Sequence, residues 1–396
     1  MKYAIVIPDG AADRSSEALG DRTPFEVARI PHMDRIADEG RLGTVQTVPA
    51  GMEPGSDVAI LSLLGYDPAK SYTGRAPLEA AAQGIETGPD DWVFRCNLVT
   101  VFDDEMVDYS AGHIKTHEAE VLIRALEEQE GSDAVRFYPG VGYRHLLVIR
   151  GETFKVRTTP PHDILGQPIK KYLPKGKNAE RLRDLMDASR DVLAGHSVNQ
   201  IRQDLGENPA SQIWLWGQGQ RPNLKSFKDR WDLTGAAITA VDLVRGIARL
   251  IGWDVVDVPG ATGYYDTDYA GKGAAGAQAL ADHDVVVVHV EATDEAGHNG
   301  DAREKVKALE NIDRQVVGPI LAALEAQGEP WRILVAPDHE TPLAIRTHER
   351  RPVPFAMMGH GVDAGRGQHA MTEADARRTG MHVAVGHELL EYFLTR

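Results

Sequence analysis

The chain contains a single cysteine, Cys96, among 396 residues. A disulfide framework is therefore excluded, and the composition fits a reducing compartment. No apolar run approaches the ~20 residues needed to cross a bilayer. The apolar stretch at residues 3–7, stopped by Pro8-Asp9-Gly10, is too short for the core of a secretory signal. Basic residues are in the minority, 43 against 59 acidic ones, which gives a formal charge of −16. Such a surface repels nucleic acid and anionic membrane. These absences predict a cytoplasmic protein with neither nucleic acid nor membrane as a partner. A small anionic substrate would need a local basic pocket, so individual Arg and Lys residues carry weight.

Internal repeats and low-complexity tracts are also absent; what remains alternates strand and helix. Residues 3–7 read as a short buried strand. Thr23-Pro24-Phe25-Glu26 is a capping box with proline at the first helical position, and a second helix runs to Gly40. Residues 42–48 read as a strand. A Gly/Pro-rich loop, 49–55, then leads to Ser56 and a short helix closed by Gly65. In the C-terminal half, a helix at 240–251 precedes a strand at 254–258. The nearly all-β-branched run 284–290 reads as a parallel strand covered on both faces. Residues 301–327 show helical periodicity through Val306, Leu309, Ile312, Val316, Ile320 and Leu324. A further strand spans 331–336. This pattern predicts an α/β fold, a mostly parallel sheet covered by helices on both faces. The middle of the chain has a different grammar. Strands at 94–102, 106–109, 136–138 and 144–149 follow in quick succession around one helix near 117–130. Residues 89–174 thus read as a smaller α+β insertion domain, with 1–88 plus 175–396 forming the core domain. Thr158-Thr159-Pro160-Pro161 reads as a stiff return linker.

In open α/β sheets, sites form beyond the carboxyl ends of the strands. Three predicted strands end in acidic residues: Asp9, then Glu291 with Asp294, then Asp338. Histidines accompany them. His298 lies four residues after Asp294, on one helical face; His339 adjoins Asp338, and His348 lies nine residues further on. This set of carboxylates and imidazoles suits two cations, manganese, magnesium or zinc. Ser56 in Pro54-Gly55-Ser56-Asp57 allows two readings. It can be an ordinary helix N-cap. It can equally be a nucleophile, because a hydroxyl beside a divalent cation loses its proton far more readily than a free one.

The motifs Ile7-Pro8-Asp9-Gly10, Gly55-Ser56-Asp57, Asp294-x-x-x-His298, Asp338-His339 and His348-x-x-x-Pro352-Val353-Pro354 together resemble one family. So do the longer stretches 61–68, 72–79 and 289–298. They are similar to cofactor-independent phosphoglycerate mutases of the alkaline phosphatase superfamily, in their shorter archaeal-type branch, over essentially the whole chain. The resemblance implies an alkaline phosphatase-like core and an inserted substrate-binding lid that closes to exclude water. It implies one metal held by Asp294, His298 and His348, and a second held by Asp9, Ser56, Asp338 and His339. Both would be divalent, manganese foremost, with magnesium or zinc as alternatives and no bisphosphoglycerate cofactor. Ser56 would take the phosphoryl group from a small phosphorylated three-carbon acid and return it to the other hydroxyl. Substrate-holding candidates are Arg75, His113, Arg144, His145, His162, Asp163 and Lys272; His113 stands where many archaeal relatives carry arginine. Two further readings accompany this one. Trp214-Leu215-Trp216-Gly217-Gln218-Gly219 resembles a bacterial offshoot proposed to act as a homoserine kinase. The same two-metal core also supports a phosphatase or phosphodiesterase.

Overall fold

A computed structural model of the chain describes residues 1–363, 365 and 369–395. Contact density divides it into two compact units: residues 1–72 with 224–396, and residues 73–223.

The first unit is built on an eight-stranded sheet. In chain order its strands are β1 (Lys2–Pro8), β2 (Arg41–Val45), β3 (Gly235–Ile238), β4 (Asp254–Val256), β5 (Val285–Val290), β6 (Trp331–Val335), β7 (Val353–Gly359) and β8 (His382–Val383). In space they run β4-β3-β5-β1-β6-β7-β2-β8. Every neighbouring pair is parallel except the two that β7 makes, with β6 and with β2. One strand therefore opposes the rest, as the mostly parallel expectation requires. Residues 3–7 of β1 and all six of β5 are buried, so both faces of these central strands are covered. On one face Ala4, Val6, Val286 and Val288 pack with Met33 and Ile36 of the Pro31–Glu39 helix, and with Leu309, Ile312 and Ile320. On the other, Tyr3 meets Phe393 of the Glu388–Thr395 helix edge to face.

The periodic stretch 301–327 is helical but interrupted. Helix Ala302–Ile312 passes through a π turn, Asp313–Val317, into Gly318–Ala326. Pro319 explains the break, since it has no N–H to give the preceding turn. The bulge is used: the Asp313 carboxylate accepts the His32 and Met33 amides at the start of the Pro31–Glu39 helix, whose own N-cap, Ile30, has no side-chain oxygen.

The second unit centres on the strand Trp92–Phe102. It pairs antiparallel with Glu105–Asp108, Arg144–Ile149 and Gln212–Gln220, and Val135–Val141 adds to Arg144–Ile149. Its core joins Phe94, Leu98 and Leu122 to Leu182, Leu185 and Met186 of the Ala179–Ala194 helix, and to Trp214. This unit is wider than the expected insertion at 89–174, because that helix and the Gln212–Gln220 strand complete its core. Their helix-then-strand order looks in sequence like a continuation of the α/β pattern. Residues 158–161 likewise lie inside the unit rather than linking it back. Thr158 Oγ1 donates to Gln218 and Trp214 Nε1 donates to the Thr159 carbonyl.

Candidate metal centre

The strand order explains why distant residues meet. β5, β1 and β6 are parallel neighbours, so their carboxyl ends open side by side. Asp9 follows β1, Glu291 and the Ala292–Asn299 helix follow β5, and Asp338-His339 follow β6. β7 runs the other way, so its amino end lies at this same edge and brings His348 there. β2 runs with β6, and its exit leads through residues 46–55 to Ser56.

Two clusters result. Asp294, His298 and His348 offer ligand-type atoms that lie within 4.8 Å of one another, and so do Asp9, Asp338 and His339. In the first, His298 Nε2 is 3.1 Å from Asp294 Oδ2, His348 Nε2 is 3.5 Å from Asp294 Oδ1, and the two Nε2 atoms are 2.9 Å apart. In the second, His339 Nε2 lies 3.6 Å from Asp9 Oδ1 and 3.3 Å from Asp338 Oδ2. The His339 and His348 rings are 4.1 Å apart, so the clusters adjoin.

Divalent cations fit this donor set. Asp9 Oδ1 and Asp338 Oδ2 are buried without a hydrogen-bond partner, which is costly unless a cation or proton meets them. The other ring nitrogen of each histidine is engaged: His298 Nδ1 with the Arg346 carbonyl at 3.0 Å, His348 Nδ1 with the Pro54 carbonyl at 3.3 Å, and His339 Nδ1 with Thr341 Oγ1 at 3.2 Å. A carbonyl only accepts, and the Thr341 hydroxyl already donates to Asp294. Each Nδ1 therefore carries a proton, which leaves Nε2, the atom aimed at the cluster, as the nitrogen that a cation would take.

Electrostatics agree. Burial, and then the charges of Asp338, Asp294 and Glu291, raise Asp9 well above the carboxylate range. Burial, joined by Asp294 and Glu295, pushes Glu291 up to about 8. Asp294 goes the other way: burial works to raise it, but hydrogen bonds from His298 and His348 hold it well below. His298 is raised to about 9, first by its bond to Asp294, so seating a cation there would release that proton. Like charges crowded in a buried site are what bound dications relieve.

The two readings of Ser56 part here. It is the first residue of the Ser56–Leu63 helix, and Gly55 occupies the N-cap position. Its hydroxyl does not cap the helix. It lies 3.3 Å from Asp9 Oδ2 and 3.2 Å from His339 Nε2.

Lys272 lies near the same strand ends. It is buried, with Nζ 3.3 Å from the His289 carbonyl and 3.4 Å from that of Thr262, and burial brings it down to about 8 against the pull of Glu291. The remaining candidates belong to the second unit. Arg75 opens the Arg75–Ala82 helix, and Arg144 begins its strand. Both act electrostatically on Arg95, which packs 4.3 Å over the Trp216 ring and pairs with Glu79 at 3.1 Å. His162 meets Trp216 and Tyr109 edge to face, with Asp163 3.6 Å away. His145 instead points into the unit: it is buried, accepts the Gly140 amide at 2.9 Å, and is driven by burial down to about 3. His113 is exposed on a turn where Ala111, Gly112 and His113 all have positive φ.

Three further residues went unassigned in sequence. His289 is buried within β5 and reaches Asp9 Oδ2 at 2.7 Å from Nε2. Its signal was there, as the one polar residue in Val285–Val290. Thr341 bonds both Asp294 and His339, and Arg95 joins the basic group, but neither stands out by type or spacing. Gly10 also has a steric role. At φ +59°, a Cβ there would lie 2.4 Å from Asp294 Oδ1 and 2.8 Å from Asp294 Cα. Gly10→Ala is therefore expected to lower stability by about 2–4 kcal/mol, combining left-handed strain with overpacking. Denaturant titration checks this, and a variant within 0.5 kcal/mol of wild type (roughly the spread of neutral surface changes) would contradict it.

Comparison with known proteins places this geometry. A family model described as 2,3-bisphosphoglycerate-independent phosphoglycerate mutase matches residues 37–199. The chain is 50% identical over 400 residues to a probable 2,3-bisphosphoglycerate-independent phosphoglycerate mutase of Geobacter sulfurreducens, covering 100% of both chains. It is 49% identical to the Methanothrix thermoacetophila protein of that name, again covering 100% of each. Among solved structures, a cofactor-independent phosphoglycerate mutase from Thermoplasma acidophilum matches with a TM-score of 0.72 at 26% identity, covering 100% of this chain and 99% of that one. A Pyrococcus horikoshii protein matches with a TM-score of 0.84 at 30% identity, covering 99% and 96%.

Proposed function

Because the chain belongs to the 2,3-bisphosphoglycerate-independent phosphoglycerate mutases of the alkaline phosphatase superfamily, we propose that it works through a phosphoserine at Ser56. The enzyme is an isomerase that interconverts 2- and 3-phosphoglycerate at a two-metal site. The observation that carries the Ser56 reading is its hydroxyl, free of any capping role and set between Asp9 and His339 of one cluster.

Asp294, His298 and His348 would hold one cation, and Asp9, Ser56, Asp338 and His339 the other; manganese suits this mixed nitrogen and oxygen set. Such cations would supply Lewis-acid polarisation of phosphoryl oxygens and a lowered pKa for a nearby hydroxyl. The chain's own residues do the rest. Ser56 Oγ gives up its proton and bonds to phosphorus as the bond from phosphorus to the glycerate oxygen breaks, and that oxygen leaves protonated. The glycerate then presents its other hydroxyl, which loses its proton, takes the phosphoryl group and frees Ser56. Arg75 and Arg144, with Arg95 beside them, are the candidate guanidinium groups for carboxylate and phosphate; His162, whose pKa burial lowers, is a candidate neutral hydrogen-bonding group. Lys272 is a separate candidate, near the strand ends that carry the metal ligands. His145 has no part in this, since it is buried and bonded inside its own unit. The tryptophan motif receives a structural account: Trp214 Nε1 bonds the Thr159 carbonyl, and Trp216 Nε1 bonds Asn97 beneath Arg95. No helix among the described residues is long and apolar enough to cross a membrane; we place the enzyme in the cytoplasm on its composition.

Manganese-loaded protein is expected to interconvert 2- and 3-phosphoglycerate with no added bisphosphoglycerate. It should release no ADP from ATP and homoserine. Net phosphate release outpacing isomerisation would sink the mutase reading in favour of a phosphatase.

A further inference from the structure

The reaction as described makes no use of a fully buried lysine. Lys305, on the Ala302–Ile312 helix, has no solvent exposure. Its Nζ is 2.8 Å from Asp13 Oδ2 and 2.7 Å from the Thr341 carbonyl oxygen. Burying an ammonium is costly, and a lone ion pair repays that cost poorly as stability. The pair's position gives it another purpose. Asp13 lies four residues after Asp9, in the loop that follows β1, and Thr341 lies two residues after His339, in the loop that follows β6. Asp13 also accepts the Leu343 amide at 3.2 Å, and the Thr341 amide donates to the Ala12 carbonyl at 3.3 Å. The pair therefore ties together the two loops that carry the Asp9, Asp338 and His339 ligands.

Thr341 is where this tie reaches the clusters. Its hydroxyl donates to Asp294 Oδ1 and faces His339 Nδ1 at 3.2 Å. Asp294 belongs to one ligand set and His339 to the other, so one hydroxyl orients a carboxylate of the first and an imidazole of the second. The surroundings leave it little play. A Cβ on Gly297 would lie 2.4 Å from the Thr341 carbonyl oxygen, so the helix bearing Asp294 and His298 packs directly against it.

We propose that Thr341, anchored by the buried Lys305–Asp13 pair, is a positioning residue that sets the two metal centres relative to each other. This rests on the two-metal reading above. Ligand-orienting partners of this kind are worth about 10–100-fold in metal affinity. Threonine is required for its hydroxyl, which must donate on one side and accept on the other.

The test is manganese binding to the full chain without substrate, followed by calorimetry and by electron paramagnetic resonance. Thr341→Val keeps the shape and removes the hydroxyl; it is expected to bind manganese about 10–100-fold more weakly and to change the spin coupling between the two ions. Thr341→Ser keeps the hydroxyl and should stay within about threefold of wild type, a small fraction of that loss. A fold that merely needs the side chain's bulk would rank these two variants the other way. Lys305→Met combined with Asp13→Asn removes both buried charges and should reproduce the valine phenotype. If the valine variant does not fold, Thr341→Ala read against Thr341→Ser gives the same comparison. Two manganese ions bound by Thr341→Val with wild-type affinity and coupling would overturn the proposal while leaving the two-metal reading intact. A wild-type chain that binds fewer than two would overturn both.

Discussion

Ser56→Ala is expected to slow the interconversion of 2- and 3-phosphoglycerate by about 10⁴-fold or more. The argument is positional. A nucleophile must be unprotected, near a base and near the groups that steady the phosphoryl oxygens. The Ser56 hydroxyl is set between Asp9 Oδ2 and His339 Nε2 and has no helix-capping duty. No neighbouring hydroxyl can take its place, because Thr341 Oγ1 donates to Asp294 and Thr293 Oγ1 to the Asp9 carbonyl. The loss should fall on kcat, since alanine removes a bond made only along the reaction path. Manganese uptake by Asp294, His298 and His348 should persist, because Ser56 is outside that set. Acid quench of the working wild type should trap phosphate on the peptide carrying Ser56, and the alanine variant should trap none. An alanine variant with wild-type turnover would remove Ser56 from the mechanism.

The reasons the site could be read in sequence are also the reasons some of it could not. Asp9, Asp294, Asp338, His298, His339 and His348 are legible because strand ends in a parallel sheet share one edge. An acidic residue just past an apolar run thereby acquires a location. The strand order that makes β5, β1 and β6 neighbours was not legible, since it depends on crossovers and not on composition. Thr341 escaped notice because its role lies in two hydrogen bonds to residues 47 and 2 positions away, and threonine alone signals nothing. Ser56 was ambiguous for a local reason: serine caps helices, and only the observed boundary gives that position to Gly55. The second unit's limits were misjudged because a helix followed by a strand, Ala179–Ala194 then Gln212–Gln220, has the same pattern in either fold class. Only the packing of Leu182 and Trp214 with Phe94 assigns them.

Asp9→Asn is expected to abolish activity yet to stabilise the metal-free chain. Asp9 is fully buried, and burial together with Asp338, Asp294 and Glu291 raises its pKa well above the usual value. A carboxyl raised in this way binds its proton more tightly folded than unfolded. Its contribution to stability is present at low pH and is lost as pH rises from the ordinary carboxylate range through the raised folded value. Asparagine keeps the neutral state at every pH. It also preserves the local bonding: its oxygen can accept from His289 Nε2, which meets Asp9 Oδ2 at 2.7 Å. Its amide can replace Oδ1, which has no partner and lies 3.6 Å from the His339 Nε2 lone pair. With chelator at pH 8, the variant should therefore be more stable than wild type by about 1–3 kcal/mol, the scale on which removing an uncompensated buried charge acts. Manganese should reverse the order. Wild type gains about 4 kcal/mol at a free ion concentration a thousandfold above Kd, whereas the variant lacks the charge that holds the ion. Thermal melts with chelator and with manganese, at pH 5 and pH 8, test each part. A variant less stable than wild type in chelator at pH 8 would show that Asp9 is kept as a structural hydrogen-bond acceptor and not as a charge awaiting a cation.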